Sequence, residues 1–254
     1  MSSATWSKCV FSTVFLVLSA LAGGAEPALD PPPSRWAPVA GLFTHVDATI
    51  ARLRETLADA EDYDLADQSR ARKDAEVLVA LAQVLSRHDE DFAEQAAMPR
   101  LHAAAERLAA SGESHAEAAR ALTDISAARG GQADPDVAVR WEKSASLPIL
   151  MKQVPLVHAA LKRSVDADRW RRQSAASQGQ AAALAAIAAV SALDHEYAKT
   201  PAETTKWDEL CGQMRDAAGA IGAAIRTEDR TALAEGMSRL HVSCEACHAA
   251  FRRP

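Results

Sequence analysis

The sequence predicts an all-α protein built as two tandem four-helix bundles. Three observations lead there. Aromatic residues make up only 5% of the chain, while alanine, leucine and charged residues, which suit helices, dominate. Apolar residues recur at steps of three and four through long windows, which places them on one helical face. Paired signatures stand 105 residues apart: Gln68-Ser69 matches Gln173-Ser174, and Asp89-Glu90-Asp91-Phe92 matches Asp194-His195-Glu196-Tyr197. A repeat of that length reads as duplication of one helical unit.

In chain order, residues 1–22 combine Lys8, an apolar run from Cys9 to Leu21 and small residues at Ala20 and Ala22. That pattern is a secretory signal peptide cut after Ala22. Ser12, Thr13 and Ser19 interrupt the run, which falls short of the ~20 apolar residues that span a bilayer. The expectation is an exported, periplasmic protein with no membrane span in its mature form. Losing Lys8 leaves 27 of the 28 basic residues against 34 acidic ones. Without a concentrated basic face, nucleic acid is excluded as a partner.

Residues 23–35 read as a Pro-rich linker and residues 36–131 as the first four-helix domain, which contains no cysteine. His45, His88, His102 and His115 of that half read as surface residues. The stretch "GGQADP" at 130–135 separates the halves, and residues 132–254 form the second domain. Its first helix covers 147–165, where Pro155 is expected to introduce a kink. Its second covers 168–197. The third starts at Thr200-Pro201-Ala202-Glu203, an N-cap, a first-turn proline and the glutamate of a capping box. Trp207, Leu210, Cys211, Met214, Ala218, Ile221 and Ile225 form its stripe, with Cys211 read as a small buried hydrophobe. The fourth starts near Asp229, and Leu233, Met237, Leu240, Cys244, Cys247 and Phe251 form its core-facing stripe.

The chemistry-bearing motif is Cys244-Glu245-Ala246-Cys247-His248. Two cysteines three apart on a helix present sulfur to one face, and the following histidine can turn its imidazole over the same surface. Two thioether bonds to a haem edge and one iron–nitrogen bond need this arrangement. A thioredoxin-like redox CxxC would require a βαβ context, and zinc would require a fourth ligand; neither is evident. Only Cys211, Cys244 and Cys247 survive export, an odd number that argues against a disulfide framework. The expected cofactor is one haem c, covalent through Cys244 and Cys247, with His248 as proximal iron ligand. With only six residues after His248, cover for the second haem face falls to an earlier helix.

A CxxCH on the last of four antiparallel helices resembles the cytochrome c′ and cytochrome c556 family of class II c-type cytochromes, whose fold is a four-helix bundle. The resemblance covers roughly residues 140–254. "CEACHAAFRR" is similar to the family's motif with its trailing aromatic and basic residues, which puts Arg252 beside the proximal histidine. "KWDEL" resembles the start of the third helix and makes Trp207 a cofactor contact. "ILMK" resembles the first-helix segment facing the distal side, and makes Met151 the candidate distal ligand, ahead of His158. His241, two turns before His248 on the same helix, cannot reach that face.

What the resemblance implies is one-electron transfer with a redox partner protein. A bound Met151 thioether matches that role, as in cytochrome c556. Leu150 or an unbound Met151 over the iron leaves a five-coordinate centre for a small gas ligand such as NO or CO, as in cytochrome c′. A haem enzyme such as a peroxidase would need a distal acid or base, and no such group is evident. The first domain then reads as a haem-less copy that enlarges the core, supports a homodimer or docks the partner.

Overall fold

The computed structural model describes residues 29–166 and 169–252, so the signal-peptide expectation lies outside the described residues. Within them the chain is all-α, as expected: eight α-helices and no strand. None is long and apolar enough to cross a membrane. The first four are α1 (Val39–Thr56), α2 (Leu65–Ser86), α3 (Met98–Ala110) and α4 (His115–Arg129). The second four are α5 (Leu147–Asp166), α6 (Ser174–Ser191), α7 (Pro201–Arg226) and α8 (Arg230–Phe251).

Local chemistry accounts for several helix starts. Asp64 caps α2 by accepting from the backbone N–H groups of Ala66 and Asp67, and Asp229 does the same for α8 with Thr231 and Ala232. Thr200 and Glu203 form the capping box expected for α7, satisfying amide donors that a helix start leaves unpaired. α5 runs through Pro155 to Asp166. α6 is shorter than the sequence suggests, ending at Ser191. The Asp194-His195-Glu196-Tyr197 stretch is instead a loop, tied down by Lys143, whose ammonium lies 2.8 Å from Asp194 and 3.3 Å from Glu196. The offset of 105 residues that relates the two sequence signatures also carries Ser86, the end of α2, onto Ser191, the end of α6.

The first four helices close on themselves. α2 packs on α1 and α3, α3 on α4, and α4 returns to α1. Arg129 fastens that closure, with its guanidinium 2.7 Å from Asp47, 3.3 Å from Glu94 and 4.1 Å above the Phe43 ring. In the second four, α6 packs on α5 and α7, and α7 on α8. The two sets share one core. α1 lies along α6, and α2 touches both α5 and α6. Buried residues run without a break from Asp74 to Leu85 in α2 and from Ala181 to Ser191 in α6, the mark of helices enclosed on all sides.

Residues before α1 join that core. Trp36 is buried against α7, and a Cβ added at Gly219 would stand 2.8 Å from both its Cα and Cβ atoms. The expectation of surface histidines fails for three of the four: His45, His88 and His102 are buried, and His115 is half-buried. The reason is long-range. Their helix faces are covered by chain distant in sequence, as where His88 Nε2 bonds the Ala37 carbonyl at 3.0 Å and His102 Nε2 bonds Ser144 Oγ at 3.2 Å.

Two outcomes are expected. Gly219→Ala forces a methyl group against the Trp36 backbone and should cost about 1–3 kcal/mol in denaturant unfolding; an unchanged midpoint would show that the Trp36 seam yields freely. Burial lowers the pKa of His45 to about 3 and of His102 to about 4. Between those values and the ordinary 6.5 the unfolded chain binds more protons than the folded one, so stability falls as pH falls through this window. His45→Gln and His102→Gln should each flatten that slope in urea titrations, and a slope identical to that of the parent chain would contradict the burial account.

Candidate functional site

α5 and α8 run antiparallel, with the start of α5 beside the end of α8 and His158 beside His241 further along. They do not pack closely where α8 finishes. Between them, closed off by the start of α7 and the 192–200 loop, lies a cavity of about 510 Å³. Its wall contains Leu147, Met151 and Pro155 from α5, Tyr197 from the loop, Trp207 from α7, and Cys247, His248 and Phe251 from α8. Lys152 and Arg252 are its cations, both exposed. A satellite apolar cluster of Leu147, Trp207, Leu210, Cys211 and Phe251 backs the cavity.

Aromatic contacts fix this end. Trp207 Nε1–H donates to the Ser191 carbonyl at 3.0 Å, which satisfies the indole in a buried setting. The Phe251 ring meets Trp207 edge-on with centroids 5.1 Å apart, and Tyr197 stacks at 6.4 Å and 17°. These contacts join α6, α7, the loop and the last turn of α8, and so set where Cys247 and His248 stand.

Of the residues singled out in the sequence, Met151, Trp207, Cys247, His248 and Arg252 come together in this wall. His248 is exposed and Met151 half-buried. Leu150, its neighbour, is instead buried in the main core at 1% exposure. Cys244 lies outside the wall, half-buried against the main core. A step of three residues turns a helix about 60° short of a full circle, so the two thiols diverge around the α8 axis. One faces the cavity and the other the seam beside it. His158 lies further along α5, where partial burial and the neighbouring His241 lower its pKa.

Lys152 and Tyr197 belong to the wall without any sequence signal that marks them. Lys152 is visible only as the residue after Met151, and Tyr197 falls in a stretch whose pattern reads as helix. Pro155 adds a feature of its own: it has no N–H for the Met151 carbonyl, which therefore lacks its helical donor inside the cavity wall.

All three thiols are held protonated. Burial pushes Cys211 up to about 12, with Cys247 and Asp208 adding to the effect. Burial also raises Cys244, against a hydrogen bond from Ser243, and raises Cys247, with Cys244 adding to it. Among the described residues no three His, Cys, Asp or Glu side chains converge closely enough to hold an ion by themselves.

The cavity at the end of α8 has a mainly apolar lining that suits an apolar group. The Cys247 thiol and the His248 imidazole border an apolar cavity within the ~300–1,000 Å³ typical of small-molecule and cofactor sites, and Cys244 stands one turn earlier, outside its wall. Comparison with protein-family models, with curated proteins and with solved structures returns no match to this chain.

In the chain before any cofactor is attached, Cys244 and Cys247 should react slowly with a maleimide at neutral pH and faster as pH rises, while Cys211 stays silent until denaturation. Equal and rapid labelling of all three in the native chain would contradict these surroundings.

Proposed function

We propose that this chain is an exported c-type cytochrome of the cytochrome c′ and c556 kind, carrying one covalent haem and serving one-electron transfer with a redox partner protein. The observation that carries the reading is the CxxCH motif on α8 with Cys247 and His248 in the wall of an apolar cavity that Met151 enters from α5. When bound, the haem supplies a one-electron iron couple whose potential the axial ligands and pocket polarity set.

In this reading Cys244 and Cys247 would carry the two thioether links of a bound haem. His248 is the proximal ligand and Met151 the distal one. Leu147, Trp207 and Phe251 exclude water from the pocket. Lys152 and Arg252, as the exposed cations of the wall, suit the carboxylates of the cofactor. Leu150 points into the core rather than the cavity, which leaves Met151 as the α5 side chain suited to the iron.

Met151→Leu tests the reading. The oxidised parent protein should be low-spin with a near-infrared sulfur-to-iron charge-transfer band. The variant should lose that band and bind CO in the ferrous state, at a packing cost under about 1.5 kcal/mol. A parent protein that is already high-spin and takes up CO or NO, with a spectrum unmoved by Met151→Leu, would replace electron transfer with reversible gas binding.

A further inference from the structure

A cavity of about 470 Å³ opens between α2, the end of α3 and the first turns of α5. α2 contributes Gln68, Ser69, Arg72 and Lys73 to its wall, and α5 contributes Ile149 and Lys152. Gln68 and Arg72 stand four residues apart, as do Ser69 and Lys73, so the four make two adjacent rows on one face of α2 that span about 7.5 Å along its axis.

Charge sets this cavity apart. The chain carries 34 acidic residues against 28 basic ones, yet the wall holds three cations and no carboxylate. The acids nearest to them on α2 are committed elsewhere, Asp67 to Arg70 at 3.2 Å and Asp74 to Arg52 at 2.9 Å. Arg72, Lys73 and Lys152 make no ion pair and no side-chain hydrogen bond among the described residues. Arg72 and Lys152 are exposed and Lys73 is half-buried, so all three are open to a ligand entering from solvent.

Three like charges around one concavity repel one another, and its low-dielectric walls concentrate their field. The end of α3 offsets part of this, since a helix C-terminus carries about half a negative charge. Its Leu108 carbonyl already accepts from Ser111 Oγ at 2.8 Å, and none of the three cations donates to it. A monocarboxylate would leave most of the positive charge unanswered, whereas a dianion with oxygens on every side answers it. Arginine offers a phosphate two parallel N–H donors and lysine offers it a point charge. The Gln68 amide and the Ser69 hydroxyl add neutral donors. Leu65, 76% exposed, and Ile149 flank the cations with apolar surface.

We infer that the cavity between α2, α3 and α5 binds a soluble phosphate monoester. Arg72, Lys73 and Lys152 take the phosphate dianion, with Gln68 and Ser69 as further donors, and Leu65 and Ile149 lie beside its organic part. The inference does not rest on haem attachment. Lys152 alone is common to this wall and to that of the cavity at the end of α8.

The test is calorimetric titration of the purified full-length protein with inorganic phosphate and with n-butyl phosphate, at about pH 8, where both are dianions. The buffer is kept near 0.1 M ionic strength to screen distant charges. Both probes should bind with a Kd of about 1 mM or below, butyl phosphate the more tightly. Arg72→Gln and Lys73→Gln should keep the helical spectrum and each weaken binding about tenfold. Arg120→Gln, on α4 and outside the wall, should leave binding unchanged. Butyrate, with one charge and a similar chain, should bind at least about tenfold more weakly than butyl phosphate. No binding of either phosphate, binding that Arg72→Gln and Lys73→Gln both leave intact, or equal binding of butyrate would overturn the inference. Co-sedimentation with vesicles of anionic phospholipid, without binding of the soluble phosphates, would also overturn it and make the patch a membrane contact.

Discussion

The hydrogen bond from Trp207 Nε1 to the Ser191 carbonyl is the contact on which the candidate site depends. It ties the first turns of α7 to the last residue of α6, and the edge-on contact with Phe251 passes that constraint to the end of α8. Without it the last turn of α8 could settle onto α5 and close the cavity. With it, Phe251 is held at 7% exposure, and Cys247 and His248, one turn earlier, stay at the edge of an apolar space. An indole suits this position because it offers a large apolar body with one donor that reaches a helix-end carbonyl, here one that also accepts from the Asp194 backbone N–H at 3.2 Å.

The rest of the fold supplies rigidity to that arrangement. α2 and α6 are enclosed on almost every side, and alanine allows their neighbours to approach closely. At Gly179 an added Cβ would stand 3.0 Å from Thr44 Cγ2 and 3.3 Å from the Gly41 carbonyl. A single methyl there would have to push α1 away from α6. The first four helices therefore do more than add mass: α1 and α2 cover faces of α5 and α6 that four helices alone would leave bare, and α5 is held at the position from which Met151 enters the cavity.

The helices and their starts were legible in the sequence because caps and stripes are local. Thr200, Glu203 and Asp229 announce their roles within four residues. The CxxCH motif and its helix were equally plain. Burial of His45 and His102 was not legible, because it comes from chain distant in sequence and leaves no local trace. The loop that carries Tyr197 was hidden for a related reason: it follows the alanine-rich run of α6 without a glycine or proline to mark the break, and its contacts with Lys143 through Asp194 and Glu196 come from chain some fifty residues away. Helix geometry puts Cys244 and Cys247 on one broad face about 60° apart, but which thiol meets the cavity depends on how α8 is rotated, and Phe251 and Leu240 decide that together.

Covalent attachment through Cys244 and Cys247 is the central claim, and peptide-resolved mass spectrometry of the protein tests it most directly. The chain should be produced in a host that exports and matures c-type cytochromes, with a known one as control, then denatured and digested. The account predicts that the peptide spanning Cys244 to His248 carries the added mass of one haem and that Cys211 is the one thiol open to alkylation. A peptide of unmodified mass, with both motif cysteines alkylated while the control protein carries its haem, would contradict it.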